Sequence, residues 1–131
     1  IMEMTQRPVA GWPMRFAFGL AIFLLVSGLV FIVAAKPADQ FLGMLDPGSD
    51  PARLQLVGIR QFAIGAAMAL ALWLRHSGAV LIIFGVGGFI PLADTVVAFS
   101  QSGVQGAVGH FVAAVASFVL TWALWRNVSS R

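Results

Sequence analysis

The sequence contains no cysteine, and only 10% of its 131 residues are charged. The first absence excludes disulfides, thiolate metal sites and cysteine nucleophiles, and it leaves the redox compartment open. The scarcity of charge, set against a hydrophobic fraction of 60% and a mean hydropathy of +0.93, excludes an ordinary soluble domain. Eight lysines and arginines give a formal net charge of +3, but they lie scattered between apolar runs and make no patch for nucleic acid. No glycine spacing forms a phosphate loop, and no nucleophile or cofactor motif is present. His110 has no ligand neighbours, since His76 falls at the other side of the membrane in the topology below, so no metal and no cofactor are expected.

What the chain does have is four long apolar runs, which predict an all-α integral membrane four-helix bundle in a single domain, residues 1–131. The spans are expected at about 14–35, 54–74, 79–99 and 106–125, each near the 20 residues that a bilayer requires. Arg7 and Arg15 before a run ending Val33-Ala34-Ala35 superficially resemble a signal peptide. The run is too long for a signal core of about 7 to 15 residues, so it reads as a retained helix. Lys36-Pro37 is expected to end the first span, because proline lacks the amide proton that a continuing helix needs. An outer loop, 36–53, follows, rich in proline, glycine and aspartate, with a small apolar knot at Phe41, Leu42, Met44 and Leu45 that suits an interfacial lid. Arg75-His76-Ser77-Gly78 makes a tight turn between antiparallel spans, and the uncharged stretch 100–105 links the last two.

Arg7, Arg15, Arg75, Arg126 and Arg131 fall on one side of these spans, Lys36 and Arg53 on the other, which places both termini in the cytoplasm. Trp12, Trp73, Trp122 and Trp125 lie near span ends, as interfacial tryptophan does. The expected location is a bacterial inner (plasma) membrane.

Three titratable residues lie within spans: Arg60, Asp94 and His110. Counted from the outer span ends, each is roughly 6 to 11 Å below the outer interface, so the three fit one layer facing the extracytoplasmic side. An arginine or aspartate at a span centre costs about 2.5 to 3.5 kcal/mol, somewhat less nearer the interface. Pairing Arg60 with Asp94 across adjacent antiparallel helices offsets that cost, because a guanidinium can donate two parallel hydrogen bonds to a carboxylate. His110 is placed to use a remaining carboxylate lone pair. Gln61 adds an amide beside Arg60, Thr95 adds a hydroxyl, and Pro91 frees a backbone carbonyl just below Asp94. His110, Ala113, Ala114, Ser117 and Thr121 form a small, weakly polar helix face of the kind that packs closely in lipid.

Pro37 with Phe41 and Gly43, Gly58-Ile59-Arg60, the Gly-Phe-Ile-Pro-Leu-Ala-Asp run from Gly88 to Asp94, and Gly109-His110 together resemble a domain-of-unknown-function family of small four-span membrane proteins, loosely akin to the DoxX-like group. The resemblance covers most of the chain and implies no activity. The family pattern often has an acidic residue after the arginine. Gln61 stands there, so a second intramembrane carboxylate is missing. Some fungal members sit among natural-product enzymes, which implies lipophilic substrates.

Two classes of function compete. In one, a small lipophilic molecule enters between helices and meets Asp94 and His110 as acid and base, with Arg60, Gln61, Thr95 and Pro91 binding it. Isomerisation, cyclisation or epoxide opening would suit such groups. In the other, the chain is an accessory subunit or homo-oligomer in which the polar cluster only fixes helix packing. Proton-coupled transport is a third reading, weakened because no polar partner continues a path into the inner half.

Overall fold

The computed structural model describes residues 11–42 and 50–129, and these are almost wholly helical. Helix α1 spans Trp12–Val33, α2 spans Ala35–Leu42, α3 spans Pro51–Trp73 and α4 spans Ser77–Ser129. Met44, Leu45 and Asp46 of the outer loop, with Arg7 and Arg131, lie outside the described residues.

Local chemistry sets the helix ends. Pro13 and Pro51 stand in first turns, where a missing N–H costs nothing. The Asp50 side chain accepts from Arg53 N at 2.9 Å and caps α3. α3 ends at a turn in which Arg75 takes a left-handed φ of 52°, and His76 Nδ1 then accepts from Ala79 N at 3.1 Å at the start of α4. Two expectations need correction. Pro37 does not open an irregular loop: the chain bends at Ala34 and re-enters helix as α2, where Pro37 falls in the first turn. The link expected over 100–105 shrinks to one residue, because nothing on either side of Gly103 stops a helix.

A straight 53-residue helix would be about 80 Å long, far more than a bilayer core. Gly103 breaks it, with φ 69° and ψ −156°, a backbone region that essentially only glycine occupies. The chain folds back there, since the limbs 77–102 and 104–129 pack on one another: the rings of Phe89 and Phe118 meet edge to face at 5.2 Å, and Gly85 faces Thr121. Four rods result, namely α1, α3 and the two limbs of α4.

Consecutive rods run antiparallel, as the contacts show. Gly28 faces Gly58 while Ala21 faces Gly65, and Asp94 meets Arg60 while Gly87 meets Met68. Buried positions recur at three and four residues, as in Leu54, Gly58, Gly65, Met68 and Leu72 of α3 or Ala107, Ala114, Leu124 and Val128 of α4. α1 and α3 pack most closely. A Cβ at Gly28 would lie 2.6 Å from Phe62 N, and one at Gly58 would lie 2.7 Å from Gly28 O. Close backbone approach is how helices associate where lipid is as apolar as leucine.

The main core of Ala17, Ala21, Met68, Ala71, Leu72, Val80, Phe84, Leu120 and Leu124 occupies one half of the bundle. Trp12, Trp73, Trp122 and Trp125 ring that half's end, all more than half exposed, with Arg126 5.0 Å over the Trp122 ring. Arg15 and Arg75 share this tryptophan end. Lys36, Arg53 and Gly103 mark the opposite one, the Gly103 end. Large apolar residues such as Leu56, Ile82, Val96 and Val112 point outward from the rods, a surface suited only to lipid. With α1, α3 and α4 each long and apolar enough to cross a bilayer, the chain is an integral membrane helical bundle.

Candidate functional site

The polar side chains gather in the Gly103 half, above the apolar core. Arg60 of α3 donates to Asp94 of α4 twice, Nη2 to Oδ2 at 2.6 Å and Nη1 to Oδ1 at 3.3 Å. This forked geometry is the strong form of a guanidinium–carboxylate contact. It uses two of five guanidinium N–H groups and leaves the others without a partner among the described residues. The pair is not enclosed, since 41% of the Arg60 side chain and 26% of the Asp94 side chain remain exposed.

A second contact repeats the pattern. Arg53, seven residues before Arg60, donates Nη1 to Gln101 Oε1 at 2.9 Å, and Gln101 is seven residues after Asp94. Seven residues are two helical turns, about 10 Å. The seam between α3 and the first limb of α4 therefore carries two polar rungs in one register, the upper near the Gly103 end and the lower two turns deeper.

Gln61 does not join Arg60. One residue further along, it is turned about 100° round the helix and accepts from Ser27 Oγ of α1 at 3.1 Å. Ser27 was not among the expected site residues, and it brings the first span into the polar layer. Its hydroxyl lies at the same level as Gln61, the signal that could have revealed it. Thr95 is likewise engaged internally, its hydroxyl donating to Pro91 O at 2.7 Å. The carbonyl that loses its helical donor to Pro91 is that of Gly87.

His110 falls on the inward stripe, three residues after Ala107 and four before Ala114, and is half-buried. Extending the Gly88–Phe118 register by six residues sets Asp94 level with residue 112. His110 is then within roughly 3 Å of Asp94 in depth, yet no hydrogen bond joins them among the described residues. The structure thus shares one layer among Ser27, Gln61, Arg60, Asp94 and His110 but links them as two separate pairs plus an imidazole that has no hydrogen bond among the described residues.

Two apolar grooves are open elsewhere on the bundle. One of about 560 Å³ follows α1 past Trp12, Phe16, Gly19 and Phe23, and one of about 440 Å³ lies between α1 and the second limb of α4, against Phe111, Val115 and Val119. Neither is lined by Arg60, Asp94 or His110. Among the described residues no group of three or more acidic or histidine side chains is placed to hold a metal ion.

Neither a curated protein nor a solved structure matches the chain. A family model does, over residues 21–126, a stretch that holds α2, α3, Gly103 and every polar contact described above. The chain belongs to that family, DUF4267, a domain of unknown function.

Proposed function

We propose that this protein binds a small lipophilic molecule beside the Arg60–Asp94 pair and acts on it by acid–base chemistry. The observation that carries the reading is the exposure of the pair. A guanidinium and a carboxylate are joined by two hydrogen bonds, yet 41% and 26% of their side chains stay uncovered on rods that expose large apolar side chains such as Leu56, Val96 and Val97 beside them. Such groups are costly in hydrocarbon and call for polar cover. A ligand oxygen between the rods meets that need by accepting from the unused N–H groups of Arg60.

In this reading each of the four rods crosses the membrane once. Arg15, Arg75 and Arg126 put the tryptophan end in the cytoplasm of a bacterial plasma membrane, and the polar layer lies in the outer leaflet. Asp94 is the base and His110 the acid, with the substrate bridging the gap between them. Gln61, Thr95 and Pro91 wall the layer. Isomerisation, cyclisation or epoxide opening fits such a pair, each needing one proton taken and one returned.

Native mass spectrometry of protein extracted in mild detergent tests the binding. A hydrophobic small molecule should be retained by the wild type and lost from Asp94→Asn. Equal retention by both, or none by either, would contradict the reading.

The two-rung register of Arg53–Gln101 and Arg60–Asp94 favours a second reading, an accessory or self-associating subunit whose polar seam locks α3 against α4. There, Asp94→Asn would disturb assembly or unfolding while no ligand is found.

A further inference from the structure

We infer that a diacyl phospholipid with an anionic headgroup occupies the two apolar grooves beside α1, its phosphate held by Arg15. This site is separate from the Arg60–Asp94 layer and does not depend on the function proposed there.

The two grooves belong together. Trp12 and Phe16 line both, so the larger one, past Arg15, Gly19 and Phe23, and the smaller one, against Phe111, Val115 and Val119, adjoin at a single aromatic ridge. One acyl chain fits along each. Gly19 opens the larger groove: a Cβ there would meet nothing within 4 Å, whereas at Gly28, Gly58 and Gly65 the backbone of a neighbouring helix already fills the space.

Depth selects a lipid over a partner helix. Trp12 marks the interface, and Phe23 lies eleven residues further, about 16 Å along α1. That is half of the roughly 30 Å hydrocarbon core, the depth of one leaflet. A helix crossing the bilayer would need a seat along the full span.

Charge at the mouth selects the headgroup. Arg15 lines the larger groove three residues in from Trp12. Helical side chains lean toward the helix N-terminus, here the tryptophan end, so the stem of Arg15 can follow the groove while its guanidinium rises to the level of lipid phosphates. Arg126 at the same end stacks on Trp122, but the Arg15 side chain has neither a hydrogen bond nor an ion pair among the described residues. Its fork suits two parallel bonds to phosphate oxygens.

The test uses the full chain in mild detergent, with individual lipid-binding events resolved by native mass spectrometry. Phosphatidylglycerol should bind about fivefold more tightly than phosphatidylcholine, equivalent to the roughly 1 kcal/mol that one arginine gains from an anionic surface. Arg15→Gln should abolish that preference, and Arg15→Lys should keep part of it. Gly19→Leu grows into open space, so it should weaken both lipids while the unfolding midpoint holds. Lysophosphatidylglycerol, with one chain for two grooves, should bind more weakly than phosphatidylglycerol, and equal binding would overturn the two-chain assignment. Equal binding of phosphatidylglycerol and phosphatidylcholine to the wild type, or a preference that survives Arg15→Gln, would overturn the headgroup assignment. Unchanged binding in a folded Gly19→Leu would place the lipid outside the grooves and overturn the site. A native dimer that retains no lipid and is lost in Gly19→Leu would give the groove to a second copy of the chain, and would overturn it too. The wild-type comparison needs no variant to fold.

Discussion

Replacing Gly58 with alanine probes the closest interface in the bundle. The added Cβ would lie 2.7 Å from Gly28 O, 2.8 Å from Phe31 Cβ and 3.1 Å from Ile32 N. Two of these are backbone atoms of α1, which cannot rotate away. Carbon atoms are comfortable at about 3.5 to 4.0 Å, so α1 and α3 must part by about 0.7 Å. Overpacking of this kind costs about 1 to 3 kcal/mol. The same separation stretches the Ser27–Gln61 bond from 3.1 Å past hydrogen-bonding range, adding about 0.6 kcal/mol. Alanine's better helix propensity returns up to about 1 kcal/mol. The net expectation is a loss of about 2 kcal/mol. Gly19→Ala supplies the control, because nothing lies within 4 Å of its Cβ and only the propensity gain applies. Since the chain has no cysteine, Val33→Cys and Leu56→Cys give a specific pair of fluorophore sites on exposed faces of α1 and α3. Energy transfer between them, followed as the fraction of denaturing detergent rises, reports separation of the two helices. Equal midpoints for Gly58→Ala and Gly19→Ala would refute the tight-packing argument.

Other consequences follow from the same geometry. Asp94→Asn leaves Arg60 without its carboxylate and should cost about 2 kcal/mol, between the values for exposed and enclosed pairs. In a double-mutant cycle with Arg60→Gln the two losses should fall short of additive by about 1 kcal/mol, and strict additivity would mean that the pair contributes nothing. Ser27→Ala should lower stability by about 0.6 kcal/mol, read from the same unfolding midpoint. Gly103→Ala forces a side chain into a glycine backbone region and should cost about 1 to 3 kcal/mol, whereas Gly109→Ala, which meets nothing within 4 Å, should be near neutral in the same assay.

Much of the bundle is legible in the sequence because lipid imposes simple demands. Apolar runs of fixed length, broken where proline, glycine and charge cluster, locate the rods within a few residues. The meeting of Arg60 with Asp94 followed from counting depth in adjacent antiparallel helices. Other features depend on tertiary detail. Gly28, Gly58 and Gly65 resemble any other membrane glycine until two backbones are seen to touch, whereas Gly85 and Gly87, more prominent in sequence, meet only ordinary contacts. Pro37 reads as a helix stop, yet a proline in a first turn is harmless, and α2 starts just early enough to place it there. Ser100 to Gln105 reads as a link, yet it holds one true break, since only Gly103 leaves helical geometry. Depth alone could not show that Gln61 turns to Ser27, or that His110, level with Asp94, makes no bond to it. Those outcomes depend on angle around the helix as well as height along it.

The most direct test of the central claim is an experimental structure of the wild-type chain in lipid nanodiscs, inspected at the seam of α3 and the first limb of α4. The account predicts non-protein density with a polar end within hydrogen-bonding distance of the Arg60 guanidinium and a tail along the exposed apolar side chains of α3 and the first limb of α4. Hydrocarbon density alone against an intact Arg60–Asp94 pair, or a helix of a second copy closing over it, would contradict the account.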